Sequence, residues 1–308
     1  MPAVLAVLAA ALCFGTTGTA QALADADASP LSVGAARLAI GGGILGLLGW
    51  WHGAKRRRIS RDSANTPAAL NPRGNLALVV IGALGVFAYQ PAFFLGTSLS
   101  GVALGTVVGI GSAPVFTGLF ESVIRRRPPT RRWCVTTALA LIGVFLVSGV
   151  VSTDALAEVQ PLGIWAALAA GACYATYTLA SKRLLERGWG PTETMGALFG
   201  VAGIVSIPVL LALGAQWLAT PNGLALALWL GIVTVALAYV LFGAGLHRLT
   251  ATTVATLTLA EPLTATLLGI FVLGERLAPS AVLGLLLLGV ALVLLSLPGR
   301  RNRVATTS

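Results

Sequence analysis

Residues 8–30, LAAALCFGTTGTAQALADADASP, admit two readings that lead to different proteins. As the end of a secretory leader, cut after the small residues TAQA, they leave a secreted chain. As a first membrane span, they place everything that follows in lipid. A leader opens on a positively charged segment, whereas MPAVLAV offers only its terminal amine, which favours the span. The stretch also recurs. Residues 8–20, LAAALCFGTTGTA, align without a gap with residues 168–180, LAAGACYATYTLA, at 6 identities in 13, matching Cys13 with Cys173 and Thr16 with Thr176. A segment duplicated in mid-chain is not expected to be a disposable leader.

Composition extends the same reading to the whole chain. Of its 308 residues, 56% are hydrophobic and 10% charged, with a mean hydropathy of +0.89, which is too apolar for an ordinary soluble domain. The charges cluster, so uncharged stretches of about 20 residues alternate with short charged connectors, each stretch long enough to cross a hydrocarbon core as a helix. Ten spans are expected: 3–23, 31–51, 75–97, 101–124, 133–152, 161–181, 193–213, 222–245, 251–273 and 280–298. Cys13, Cys134 and Cys173 all fall in apolar stretches and read as small buried hydrophobes.

The connectors alternate in charge. KRRRISRD with Arg73, RRRPPTRR, SKRLLER, HRL and RRNR hold 18 of the 20 Lys and Arg residues. The intervening connectors hold Arg276 alone, and Arg37 lies within a span. Basic residues flanking spans stay cytoplasmic, so both termini are expected inside, and the net charge of +10 requires no nucleic-acid partner. A second echo, APVFTGLF at 113–120 with EPLTATLL at 261–268, places a proline within a span in each half. Five spans per half is an odd number, so the second copy must enter the membrane inverted, the plan of many secondary transporters.

The stretch ALCFGTTGTAQAL, the run SPLSVGAARLAIGG with Arg37, and residues 251–295, ATTVATLTLAEPLTATLLGIFVLGERLAPSAVLGLLLLGVALVLL, resemble the drug/metabolite transporter superfamily, specifically proteins with two EamA-type repeats. The resemblance covers nearly the whole chain. It implies an all-α integral membrane protein of ten helices in a 5+5 inverted-topology repeat, with repeats at 1–152 and 153–299 and a tail at 300–308. It also implies a central cavity open alternately to each side and export of small metabolites, amino acids or drugs. One departure stands out: the second repeat has GERLAP where the first has RRRPPTRR, so a role for an acid at that turn could fall only to Glu275.

Ionisable groups at membrane depth are costly, which makes each a functional candidate. Glu261 is about eleven residues into the ninth span, before Pro262, whose missing amide frees a carbonyl one turn earlier. It reads either as a proton or amine site or as a protonated acid hydrogen-bonded across a helix interface. Arg37, seven residues after Pro30 and so about 10 Å along a helix, reads as a snorkelling side chain or as an anion contact near the outer mouth. Glu121 and Glu193 read as interfacial charges, and Glu275 with Arg276 as a turn contact. Thr16, Tyr89, Gln90, Tyr174 and Tyr177 are candidate substrate contacts, with Tyr174 and Tyr177 on one helix face. Tyr239 reads as an interface anchor. Pro91, Pro114 and Pro262 are expected to break helices. Glycines at 42 and 46, 101, 105 and 109, and 196 and 200 form ridges for close helix approach.

Other function classes find little support. The histidines are His52 at a span end and His247 in a connector, neither placed for intramembrane catalysis, and no HExxH pair, metal cluster or P-loop occurs. No enzyme, metal or cofactor is expected. The expectation is a secondary active transporter of the inner membrane whose partners are the bilayer, a small-molecule substrate and protons. A lipid-carrier flippase or a uniporter is the alternative on the same fold.

Overall fold

The computed structural model describes residues 1–62, 72–148, 160–274 and 278–297. Seven of its helices begin on a proline: α1 (Pro2–Ala24), α2 (Pro30–Asp62), α3 (Pro72–Ser100), α6 (Pro161–Glu186), α7 (Pro191–Leu213), α8 (Pro221–Trp229) and α12 (Pro279–Ser296). The first helical residue needs no amide partner and proline's fixed φ suits it, so these prolines set where spans begin. Two other helices start on a threonine cap: α5 (Arg131–Val147) on Thr130 and α10 (Ala251–Leu257) on Thr250, each hydroxyl accepting an amide three residues on. The remaining helices are α4 (Val102–Arg125), α9 (Ala238–Arg248) and α11 (Ala260–Leu273).

Among the described residues, nine spans have the length and apolarity to cross a membrane, and α5 adds a 17-residue apolar helix. One span, Pro221–Arg248, is compound: α8 passes through a π-helical segment, Leu230–Leu237, into α9. Another, Ala251–Leu273, is interrupted between α10 and α11. The expected breaks at Pro91 and Pro114 are corrected, because α3 and α4 run helically through both. In lipid the other amides have no water to turn to, so a lone proline costs one hydrogen bond without ending the helix. Near Pro262 the chain does part, at Thr258 and Leu259, and the Glu261 amide donates to the Thr258 carbonyl at 2.9 Å.

Packing follows small residues. α2 and α7 run together, with Gly42, Gly46 and Gly49 against Gly203, Gly200 and Gly196. α6 lies in the angle of α3 and α4, α1 packs on α8, the π segment and α9 as well as on α10 and α11, and α5 pairs with α12. Arginines of the described connectors gather at one end. There Arg125 pairs with Glu186, Arg132 donates to the Leu294 and Leu297 carbonyls, and Arg187 donates to Asn75 at 2.8 Å. Glu275 and Arg276, like the tail from residue 300, lie outside the described residues.

Candidate functional site

The interruption between α10 and α11 places Glu261 in the first turn of α11, deep in its span and half-buried. Its backbone is seated by α1, since a methyl on Gly15 would lie 2.8 Å from the Glu261 carbonyl oxygen. Arg37, from α2, turns inward instead of snorkelling. Its Nε is buried and has no hydrogen-bond partner among the described residues, and the guanidinium acts electrostatically on Glu261, Tyr89 and Tyr239. Arg37 and Glu261 feel one another without forming a contact ion pair. A guanidinium and a carboxyl group are therefore kept from pairing inside the helix bundle.

Tyr89, on α3, stacks on Phe93 with centroids 5.7 Å apart and lies within electrostatic reach of both charges. Tyr174, on α6, bonds the Thr258 hydroxyl at 2.9 Å, so it is tied to the interruption itself. Tyr239, on α9, is corrected from interface anchor to wall of the site. It packs on Phe14 and Phe199, and its hydroxyl meets that of Tyr177 at 3.1 Å. Arg37, Tyr89, Tyr174, Tyr239 and Glu261 each keep part of their surface open while interacting with one another. Open surface on interacting side chains from five helices points to a space between those helices.

The other expected contacts stand behind this lining. Tyr177 is 2% exposed and braces the aromatic group from the core. Gln90 is buried, its Oε1 against Gly34, one turn from Arg37 on α2. Thr16 accepts from the Trp229 indole at 3.0 Å and donates to the Cys13 carbonyl, joining α1 to the start of the π segment. Glu193 accepts from the Gly190 amide and caps α7. Glu121, read as an interfacial charge, is 7% exposed and joins two helices: it holds Arg125 Nε at 2.9 Å and accepts from the Thr252 amide at 3.1 Å.

A bundle of long apolar helices that holds an arginine and a glutamate at depth, the glutamate on an interrupted helix, is transporter architecture. Residues 1–149 and 161–297 each match the EamA-like transporter family. The chain belongs to that family and carries two EamA repeats. It is 39% identical to the "Uncharacterized transporter YwfM" of Bacillus subtilis (strain 168), over 98% of this chain and 96% of that one. It is 35% identical to the "Threonine/homoserine exporter RhtA" of Escherichia coli (strain K12) over 209 residues, 63% of this chain and 67% of RhtA. A solved crystal structure, 19% identical, superposes with a TM-score of 0.75 over 97% of this chain and 98% of the other, a likeness of fold alone. As an EamA protein the chain is a multi-pass membrane transporter that sits in the bilayer and carries a small-molecule substrate.

Proposed function

We propose that this EamA protein is a proton-coupled secondary exporter of the inner membrane that moves small amphoteric metabolites, amino acids foremost, by alternating access. The observation that carries the reading is the relation of Arg37 to Glu261: a guanidinium and a carboxyl in electrostatic reach of each other and not paired with each other. A zwitterion bridges such a pair, with its carboxylate on the guanidinium and its ammonium on the carboxylate. A carboxyl at membrane depth can also exchange a proton, which provides the coupling. The relationship to a threonine and homoserine exporter supports the same substrate class.

Helix packing supports an inverted 5+5 repeat with halves at 1–152 and 153–299. Moving every span five places along the chain turns the α3–α6 contact into that of the α8–α9 span with α1. It likewise turns α4–α6 into the contact of the α10–α11 span with α1, and leaves the α2–α7 and α5–α12 pairs unchanged. The collected arginines support cytoplasmic termini.

The direct test is accumulation of amino acids and cationic drugs in membrane vesicles. Inside-out vesicles with an acid interior should accumulate threonine or a close relative, and a protonophore should release it. Transport that ignores the gradient would replace this reading with a uniporter, and movement of a lipid-linked solute alone would replace it with a flippase. Arg37→Gln should raise the KM for amino acids about tenfold or more, the loss of one hydrogen bond to a charged group, at ~1.5–3 kcal/mol. Cations lacking a carboxylate should keep their KM, and an equal rise for both would remove Arg37 from carboxylate binding.

A further inference from the structure

α6 connects to different parts of the molecule along its length. Toward Pro161 it is seated on α3 and α4: the Gln160 amide bonds the Leu99 carbonyl, Gly163 lies against Ser100, and Gly171 against Ser112 and Ala113. From Tyr174 onward it crosses to the other group of helices. Tyr174 bonds Thr258, Tyr177 bonds Tyr239, and Lys182 Nζ donates to the Leu246 and Leu249 carbonyls at 2.9 and 2.8 Å. On α4, the buried Glu121 reaches across to the Thr252 amide. α10 accordingly reaches α4 and α6 in addition to α1, α5 and α12, the helices on which α11 packs beyond the interruption.

The two helix groups, α3–α4–α6 and α1–α8–α9–α10–α11, are thus joined from mid-membrane to the basic end. Tyr174 and Tyr177 close the floor beneath the Arg37–Glu261 space, and Lys182 and Glu121 close the rim. The rim differs from the floor in having somewhere else to go. Glu186 stands four residues from Lys182 on the same helix face, within its electrostatic reach, 32% exposed and at present shared by Arg125 and Arg183. Water at this end can satisfy the carbonyls and the amide that would be uncovered. A charged tie with an alternative partner and a wet boundary has two arrangements close in energy, which is what a gate requires.

We propose that Lys182 and Glu121 are the latch of the gate at the basic end: Lys182 leaves the Leu246 and Leu249 carbonyls for Glu186, and Glu121 releases the Thr252 amide, when the site opens to that side. This deepens the alternating-access reading and rests on it. The test uses a reporter, Tyr89→Cys, in the full chain carrying Cys13→Ala, Cys134→Ala and Cys173→Ala, probed with a membrane-impermeant maleimide on right-side-out and inside-out vesicles. With Lys182 intact the reporter should label from the outer face. Lys182→Ala should raise labelling from the cytoplasmic face at least tenfold and lower it from the outer face, and Lys182→Arg should restore the original pattern. Lys182→Gln, the milder change, should shift in the same direction and decides the matter if the alanine variant fails to reach the membrane. Labelling by both variants at the unsubstituted rate from each face overturns the latch. A shift in labelling, where the unsubstituted chain moves no solute down or against a gradient, would remove the exporter reading and leave the latch standing.

Discussion

Glu261→Gln should give a protein that inserts and folds normally but accumulates its solute at least ~30-fold more slowly against a proton gradient, with residual flux that no longer responds to pH. The amide keeps the volume and hydrogen-bonding capacity of the carboxyl but can neither carry charge nor release a proton. In the proposed cycle the deprotonated carboxylate takes the solute ammonium from the alkaline cytoplasmic side, and protonation from the acidic side releases it. Export is therefore driven by inward proton movement, and reversing the gradient should reverse net transport. The amide mimics the protonated state permanently. Removing one partner of a buried charge pair costs about 2 kcal/mol or more, which gives the ~30-fold lower bound. Glu261→Asp should retain the response to the gradient at reduced affinity, because the titrating group survives. Uptake by the glutamine variant at the original rate, with its dependence on the gradient intact, would remove Glu261 from coupling. Unchanged detergent melting of the variant is the control, since the Glu261 side chain makes no hydrogen bond or contact ion pair among the described residues.

The fold was readable because lipid allows few alternatives. Apolar length and clustered arginines located the spans, and the prolines at 30, 161, 191, 221 and 279 marked their starts more sharply than hydropathy did. Gly46 against Gly200 joins two of the ridges read from spacing, whereas Gly203, opposite Gly42, was not among them. Glu261 and Arg37 were legible as candidates because charge at depth is itself the anomaly. What misled was local context. Arg37 sits near a span end, where snorkelling is usual, and nothing nearby in sequence says that Tyr89 and Tyr239 face it. Lys182 belongs to the run SKRLLER, which reads as a solvated connector, yet its partners lie 64 and 67 residues away. Glu121 is explained by a backbone amide 131 residues on, which leaves no periodic trace. Proline was informative at helix starts and not in helix interiors, because a missing amide costs little where no partner was due and is tolerated singly elsewhere.

Gly42→Leu should be the most destabilising single change in the α2–α7 pair, and Gly43→Leu, one residue along, should be silent. A methyl at Gly42 would clash with the Phe199 carbonyl oxygen and lie 3.1 Å from the Gly203 Cα, both backbone atoms with no rotamer to yield. The helices must therefore move apart. In lipid no hydrophobic gain draws them back, because association depends on close van der Waals approach, and that attraction fades within an ångström of separation. Overpacking of this kind costs about 3 kcal/mol, corresponding to a fall of about 10 °C in detergent melting temperature. A methyl on Gly43 would meet nothing within 4 Å, and the residue is exposed, so leucine there meets only lipid. The two variants share composition and helix propensity, which isolates the effect of packing, and equal melting temperatures would disprove the glycine interlock. Arg37 lies five residues before Gly42 on the same helix, so any Gly42→Leu protein that remains inserted should also carry Arg37 away from the space it shares with Glu261. Its transport of amino acids should then fail even where its helices remain in the membrane, whereas Gly43→Leu should transport at the original rate.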